Sequence, residues 1–164
     1  MSKANMLQLL EQTNFPDFNR KDVLRKGQKH YKGMVLGKVR KMYSSCDGKM
    51  CKVESRHNKR YPEVLKAARA LIRAHNPSFR YEAITINKNN AAARHRDKTN
   101  KANASYIIGL GNYTGGELVF TEKDSPQYGS HNIRNKWLKF DGKYEHYVKP
   151  FKGTRYTIVY YSWV

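Results

Sequence analysis

From Phe79 onward the chain is a succession of short runs rich in β-branched and aromatic residues: FRYEAITIN, ASYIIGL, GELVF, KWLKF, YEHYV and TRYTIVYYS. Each is bounded by Gly, Asn, Asp or Pro, residues that favour turns, so each run reads as a strand. Short strands at this spacing predict a jelly-roll-like barrel or sandwich. Alternation along the last run puts Arg155, Thr157, Val159 and Tyr161 on one face and Tyr156, Ile158 and Tyr160 on the other.

The preceding half reads differently. Residues 3–12 place Met6, Leu9 and Leu10 on one helical face, ahead of the loop-like NFPDFN. A second helix is expected from Tyr61-Pro62 to Ala74, with Pro62 in the first turn, where its missing N–H costs nothing, and Val64, Leu65, Ala68 and Ile72 as the apolar stripe. His75-Asn76-Pro77 ends it. Between the helices, residues 20–60 are dense in Lys and Arg, broken by one strand over Tyr31–Val39 and by the turn-rich SSCDGK. At 164 residues the chain has the length of one domain, divided into a basic, helix-bearing support region over 1–79 and a β core over 80–164, with the helices packed outside.

Thirty-two Lys and Arg against 13 Asp and Glu give a formal charge of +19, far beyond what solubility needs. The sign fits a polyanionic partner, nucleic acid before any other, with DNA ahead of RNA; a solvated basic surface is the bland alternative. A hydrophobic content of 39% excludes the disordered class. No run of about 18 apolar residues offers a membrane span, and the N-terminal MSKANMLQLLEQTNF lacks the apolar region of a signal peptide. A soluble, intracellular protein is expected, nuclear or cytoplasmic and not secreted. Cys46 and Cys51 form a lone C-x4-C without a second pair, and are expected as free thiols in a reducing compartment.

One constellation carries chemistry. In His95-Arg96-Asp97 two metal-capable side chains stand two residues apart, which on an extended backbone sends both to one side of a sheet. His146, in the run YEHYV, would complete two imidazoles and one carboxylate, the facial set that leaves positions open on non-haem Fe(II). Nine positions after His146 comes Arg155, a charge within an otherwise apolar and aromatic strand, followed by the hydroxyl of Thr157. A guanidinium fork beside a hydroxyl suits a carboxylate, and a buried charge needs a specific anion, from a ligand or from another part of the protein.

Taken in order, YEAITINKNN, HRDKTN, SYIIGLGNYTGGELVF and WLKFDGKYEHYVKPFKGTRYTIVYY resemble the TET/JBP group of 2-oxoglutarate oxygenases, which hydroxylate the methyl carbon of 5-methylpyrimidines in nucleic acid. The resemblance spans roughly residues 80–163. It implies a double-stranded β-helix, with His95, Asp97 and His146 as Fe(II) ligands and Arg155 with Thr157 as the 2-oxoglutarate clamp. It further implies that Asn100 contacts the edge of an extruded base. Where the family carries a base-contacting histidine, eight positions beyond the clamp arginine, this chain has Trp163, which could stack on a base but lacks the same switchable hydrogen bonding. The long insertions and cysteine-rich segments of animal TET enzymes are absent, as in a minimal core of microbial or viral type.

The expected reaction is hydroxylation of 5-methylcytosine in DNA with release of succinate and CO2. Its alternatives are a JBP-type thymine hydroxylase, a protein side-chain hydroxylase of the prolyl type, and a basic nucleic-acid-binding module without turnover. Lys and Arg over residues 20–60 are expected to neutralise phosphates, with Tyr31, Tyr43 and Tyr61 interleaving aromatic faces among them, and Gly115-Gly116 is expected as a turn.

Overall fold

A computed structural model describes residues 1–18, 20–42 and 46–164. Helix α1 (Lys3–Glu11) starts at Ser2, whose hydroxyl accepts the Asn5 N–H at 3.0 Å, and buries Met6 and Leu10. After the two-residue strand β1 (Asp17–Phe18) and a 3-10 turn (Lys21–Val23), the long strand β2 (Tyr31–Met42) pairs with β3 (Met50–Glu54). A single turn, α2 (His57–Arg60), leads into α3 (Pro62–His75), one residue longer than expected. Its buried stripe is Val64, Ala67, Ala68, Leu71 and Ile72; Leu65 lies at the margin, only partly buried.

The expected strands form at β4 (Ala83–Lys88), β5 (Ser105–Leu110), β7 (Leu118–Phe120), β9 (Trp137–Phe140), β10 (His146–Val148) and β12 (Tyr156–Tyr161). Three short ones were not evident in the sequence: β6 (Tyr113–Gly115), β8 (Gly129–His131) and β11 (Phe151–Gly153). A major antiparallel sheet runs β1-β2-β4-β12-β5-β9, with β3 on the edge of β2; a minor sheet runs β10-β7-β8; β11 and β6 form a separate ribbon. The fold is therefore mainly β with flanking helices, as expected. Strand β2 comes from the basic first half, so that half supplies part of the sheet as well as the helices.

Strand β12 lies in the middle of the major sheet, between β4 and β5. Its Tyr156, Ile158 and Tyr160 join Met34, Ile86 and Ile108 from neighbouring strands in a core covered by α1 and α3. The Tyr160 hydroxyl reaches the Ala68 carbonyl at 2.6 Å and ties helix to sheet. A second cluster, including Ile107, Leu118, Phe120, Phe140 and Val148, packs the inner face of the major sheet against the minor one.

Cys46 and Cys51 are joined as a disulfide across the end of the β2–β3 hairpin. This corrects the expectation of free thiols: the turn between the two strands brings back together residues that a C-x4-C spacing alone leaves unassigned. The inference of a reducing compartment loses its support with it. No helix among the described residues is long and apolar enough to cross a membrane.

Replacing Tyr160 by Phe should remove the helix-to-sheet hydrogen bond while keeping ring packing, and lower unfolding free energy by about 1 kcal/mol in urea titration. An unchanged midpoint would show that the bond contributes nothing to docking α3.

Candidate functional site

Between the two sheets opens a cavity of about 630 Å³, and all seven site residues expected from the sequence line it: His95, Asp97, Asn100, His146, Arg155, Thr157 and Trp163. Three local arrangements bring them there.

The first is a backbone bridge. His95 and His146 exchange both N–H···O bonds at 3.0 Å, which places their rings side by side with centroids 4.3 Å apart. Each ring is fixed from behind. Nδ1 of His95 lies 2.7 Å from the Ala93 carbonyl, and Nδ1 of His146 lies 2.7 Å from the Tyr144 carbonyl. A carbonyl can only accept, so both Nδ1 atoms carry a proton, and in the neutral rings both Nε2 lone pairs face the cavity. Phe120 and Phe140 wall the His146 ring, with centroids at 5.1 and 6.0 Å.

The second arrangement seats Asp97. Its N–H donates to the Gly142 carbonyl at 2.7 Å, and its carboxylate lies 3.6 Å from His95 Nε2 and 3.4 Å from His146 Nε2. Ligand atoms from His95, Asp97 and His146 all fall within 4.8 Å of one another. Gly142 makes the room, since a Cβ there would come within 2.8 Å of Asp97 Oδ2. Burial by itself would raise the Asp97 pKa, but the hydrogen bond and charge that His146 supplies when protonated, with the charge of Arg20 and that of a protonated His95, outweigh it and hold the carboxyl well below its ordinary value. Burial, reinforced by His146, lowers the pKa of His95. A carboxylate beside a neutral imidazole is the donor set a divalent ion requires.

The third arrangement is the inner face of β12. Arg155, Thr157, Val159 and Tyr161 point into the cavity, as alternation predicts. The Asn89 side chain accepts the Arg155 N–H at 2.8 Å and sets the start of the strand. The Arg155 guanidinium, 2% exposed, donates from Nη2 to the Gly116 carbonyl at 3.0 Å and lies against the rings of Tyr113 and Phe151 at 5.5 and 5.7 Å. Among the described residues no carboxylate pairs with it, and its Nε is buried without a hydrogen-bond partner. Burial lowers its pKa, the direction expected of a cation short of an anion. Gly115 and Gly116 both adopt positive φ, as a turn would, and a Cβ on Gly116 would meet Arg155 Nε at 2.8 Å.

Asn100 and Trp163 are joined by a β-bridge and sit together on the cavity wall. The indole N–H of Trp163 donates to the Lys38 carbonyl at 2.9 Å, so its donor is committed to the protein and only its ring is left for a ligand. Tyr31 is 5% exposed and lines the cavity, while Tyr61 donates to the Asn14 carbonyl beside α3 and lies away from it. Tyr31 therefore offers no aromatic face on a basic surface, whereas the partly buried Tyr61 ring lies under the Arg60 guanidinium at 5.2 Å. Tyr43 lies outside the described residues.

Several lining residues were not singled out by sequence reasoning. Asn87 and Asn90 line the cavity with buried Oδ1 atoms that have no hydrogen-bond partner. Asn87 faces Thr157 across the β4–β12 pairing, 3.4 Å from its hydroxyl. Period-two alternation along AITINK puts Asn87 on the same side as Thr85 and would have found it. Arg20, which reaches Asp97, stands in a run of similar cations and carries no such signal.

No protein-family model matches the sequence, and no curated protein matches it either. Among solved structures, the chain is similar to an oxidoreductase of the 2OG-Fe(II) oxygenase family from Burkholderia pseudomallei, with a TM-score of 0.54 and 16% identity, over 97% of this chain and 76% of that one. It is also similar to NgTET1 in complex with 5mC DNA, with a TM-score of 0.57 and 17% identity, over 98% of this chain and 67% of that one. The jelly-roll fold is the one these oxygenases share.

Substituting Gly142 by Ala should push the Asp97 carboxylate out of register with the two imidazoles. Co(II) affinity should fall at least about 10-fold, measured by absorption titration, with little change in melting temperature. Wild-type affinity in this variant would remove Asp97 from the donor set.

Proposed function

We propose that the chain is an Fe(II)- and 2-oxoglutarate-dependent dioxygenase that hydroxylates the methyl group of a 5-methylpyrimidine in DNA, with 5-methylcytosine the favoured base. The observation that carries the reading is one cavity lined both by the clustered donors His95, Asp97 and His146 and by a buried Arg155 with no acidic partner among the described residues. The donor set suits Fe(II), and the orphaned guanidinium suits the far carboxylate of a dicarboxylic co-substrate.

His95, Asp97 and His146 would hold the metal, and Arg155 with Thr157 the distal carboxylate of 2-oxoglutarate. When bound, iron and 2-oxoglutarate supply the oxidising chemistry: O2 is split, the co-substrate leaves as succinate and CO2, and one oxygen enters a substrate C–H bond. The protein's part is placement. The fixed Nδ1–H bonds set both ring orientations and, in the neutral rings, the tautomer whose Nε2 lone pairs are aimed into the cavity. Phe120 and Phe140 shield the metal side from water. Asn100 and the ring of Trp163, neighbours on the wall, would receive a base swung out of its stack. A volume of about 630 Å³ lies within the usual range for small-molecule sites and leaves room beside a co-substrate.

Charge supports a nucleic acid over a peptide. The segment that carries the metal ligands has Arg94, Arg96 and Lys98 alternating with His95 and Asp97, so cations line the same cavity, within a chain of net charge +19. Similarity to NgTET1, crystallised with 5mC DNA, adds support for DNA at the level of shared fold. A second reading, thymine as the base, rests on Trp163: with its donor spent on Lys38 it offers stacking without hydrogen-bond readout and so does not select cytosine.

DNA containing 5-methylcytosine and thymine, treated with the protein, Fe(II), ascorbate and 2-oxoglutarate, should yield 5-hydroxymethylcytosine when its nucleosides are weighed. 5-Hydroxymethyluracil instead would transfer the assignment to thymine, and oxygen gained only by a peptide would overturn it. His95→Ala should abolish 2-oxoglutarate turnover with DNA affinity nearly unchanged. Arg155→Leu, losing two charge-assisted hydrogen bonds worth about 3 kcal/mol together, should raise the KM for 2-oxoglutarate about 100-fold.

A further inference from the structure

Residues 20–28 run outside the jelly roll and cross the two segments that carry the metal-site histidines. Val23 is buried in the inner cluster and its carbonyl accepts the Ala93 N–H at 3.0 Å. Arg25 donates from Nε to the Ala91 carbonyl at 2.7 Å and from Nη2 to the Val148 carbonyl at 2.9 Å. This strap thereby ties together the approach to His95 and the exit from His146. At its start Arg20 reaches into the cavity and donates from Nη2 to Asp97 Oδ1 at 2.6 Å. The same guanidinium is gripped by Asp22, with Nε to Oδ1 and Nη2 to Oδ2 both at 2.8 Å.

We propose that Arg20 is a positioning residue for the carboxylate arm of the metal centre, with Asp22 as its counter-charge; the inference rests on the metal-site reading above. The two Asp97 oxygens are unequal. Oδ1, which Arg20 holds, lies 3.6 Å from His95 Nε2, and Oδ2, in the space Gly142 leaves open, lies 3.4 Å from His146 Nε2. Pinning Oδ1 stops the carboxylate from turning and fixes its orientation toward the ion, as outer partners of ligating groups do. A bare cation in that place would work against a divalent ion by repulsion and by competing for the carboxylate. Asp22 cancels that charge, so Arg20 contributes orientation at little electrostatic cost. Arginine suits the task because its fork can bind two carboxylates at once, which an ammonium cannot do in fixed geometry.

The test is Co(II) binding to the full chain, followed by the visible absorption of the bound ion. Arg20→Gln should bind Co(II) about 10- to 100-fold more weakly and with an altered absorption envelope, the range typical for loss of an outer-shell partner. Arg20→Lys should recover part of the affinity. Asp22→Asn, a change at a half-exposed surface position that leaves the fold intact, should also weaken binding, though by less, because Arg20 is left uncompensated. Wild-type or tighter affinity in Arg20→Gln with an unchanged spectrum, or tighter binding in Asp22→Asn, would overturn the proposal. Failure of the unaltered chain to bind Co(II) would instead strike the metal-site reading, and the proposal would fall with it.

Discussion

A strand hydrogen-bonded on both edges has only its two faces left to offer, and β12 spends them on opposite tasks. Bound by β4 on one side and β5 on the other, it cannot shift register without breaking two ladders. One face is apolar and aromatic and takes the helices; the other carries Arg155, Thr157, Val159 and Tyr161 and becomes a cavity wall. A slip of one residue would drive the guanidinium into the helix-covered core and Ile158 into the cavity. The apolar packing of α1 and α3 therefore does more than stabilise the sheet: it holds the charged face in position, since the cost of misplacing either set falls on the other.

The same division governs the electrostatics. Asp97 and Arg155 are kept at different places along the cavity wall, Asp97 among imidazoles and Arg20, whose charge Asp22 shares, and Arg155 among Tyr113 and Phe151. Were Asp97 paired with Arg155 instead, the guanidinium would have nothing left with which to bind an anion. The rigid sheet prevents this collapse. Unpaired polar atoms on Asn87, Asn90 and Arg155 belong to the same pattern, since buried groups without partners are retained where a ligand completes them.

Much of this was legible in the sequence because it depends on period. Alternation in TRYTIVYYS gives the two faces of β12, and two-residue spacing brings His95 and Asp97 to one side. The strands β6, β8 and β11 were not legible: each is three residues long with a glycine among the three, which weakens the strand signal, and each pairs with a partner set by the fold. The pairing of Cys46 with Cys51 and the inward turn of Tyr31 were missed for a related reason. A hairpin and a cavity wall are made by chain reversal, and neither leaves a mark on residue spacing alone. Arg20 lies furthest from sequence reach, because among many similar cations only the strap's path picks it out.

The three donors differ in how much protein each one needs. Each histidine carries its own tautomer lock within three residues of chain, from Ala93 to His95 and from Tyr144 to His146. Asp97, by contrast, is seated by Gly142 and Arg20, both distant in sequence. The imidazoles are thus portable, short cassettes that could be transplanted into another antiparallel pair with their chemistry intact. The carboxylate is a property of the assembled molecule, and grafting the site elsewhere would succeed or fail on that one residue.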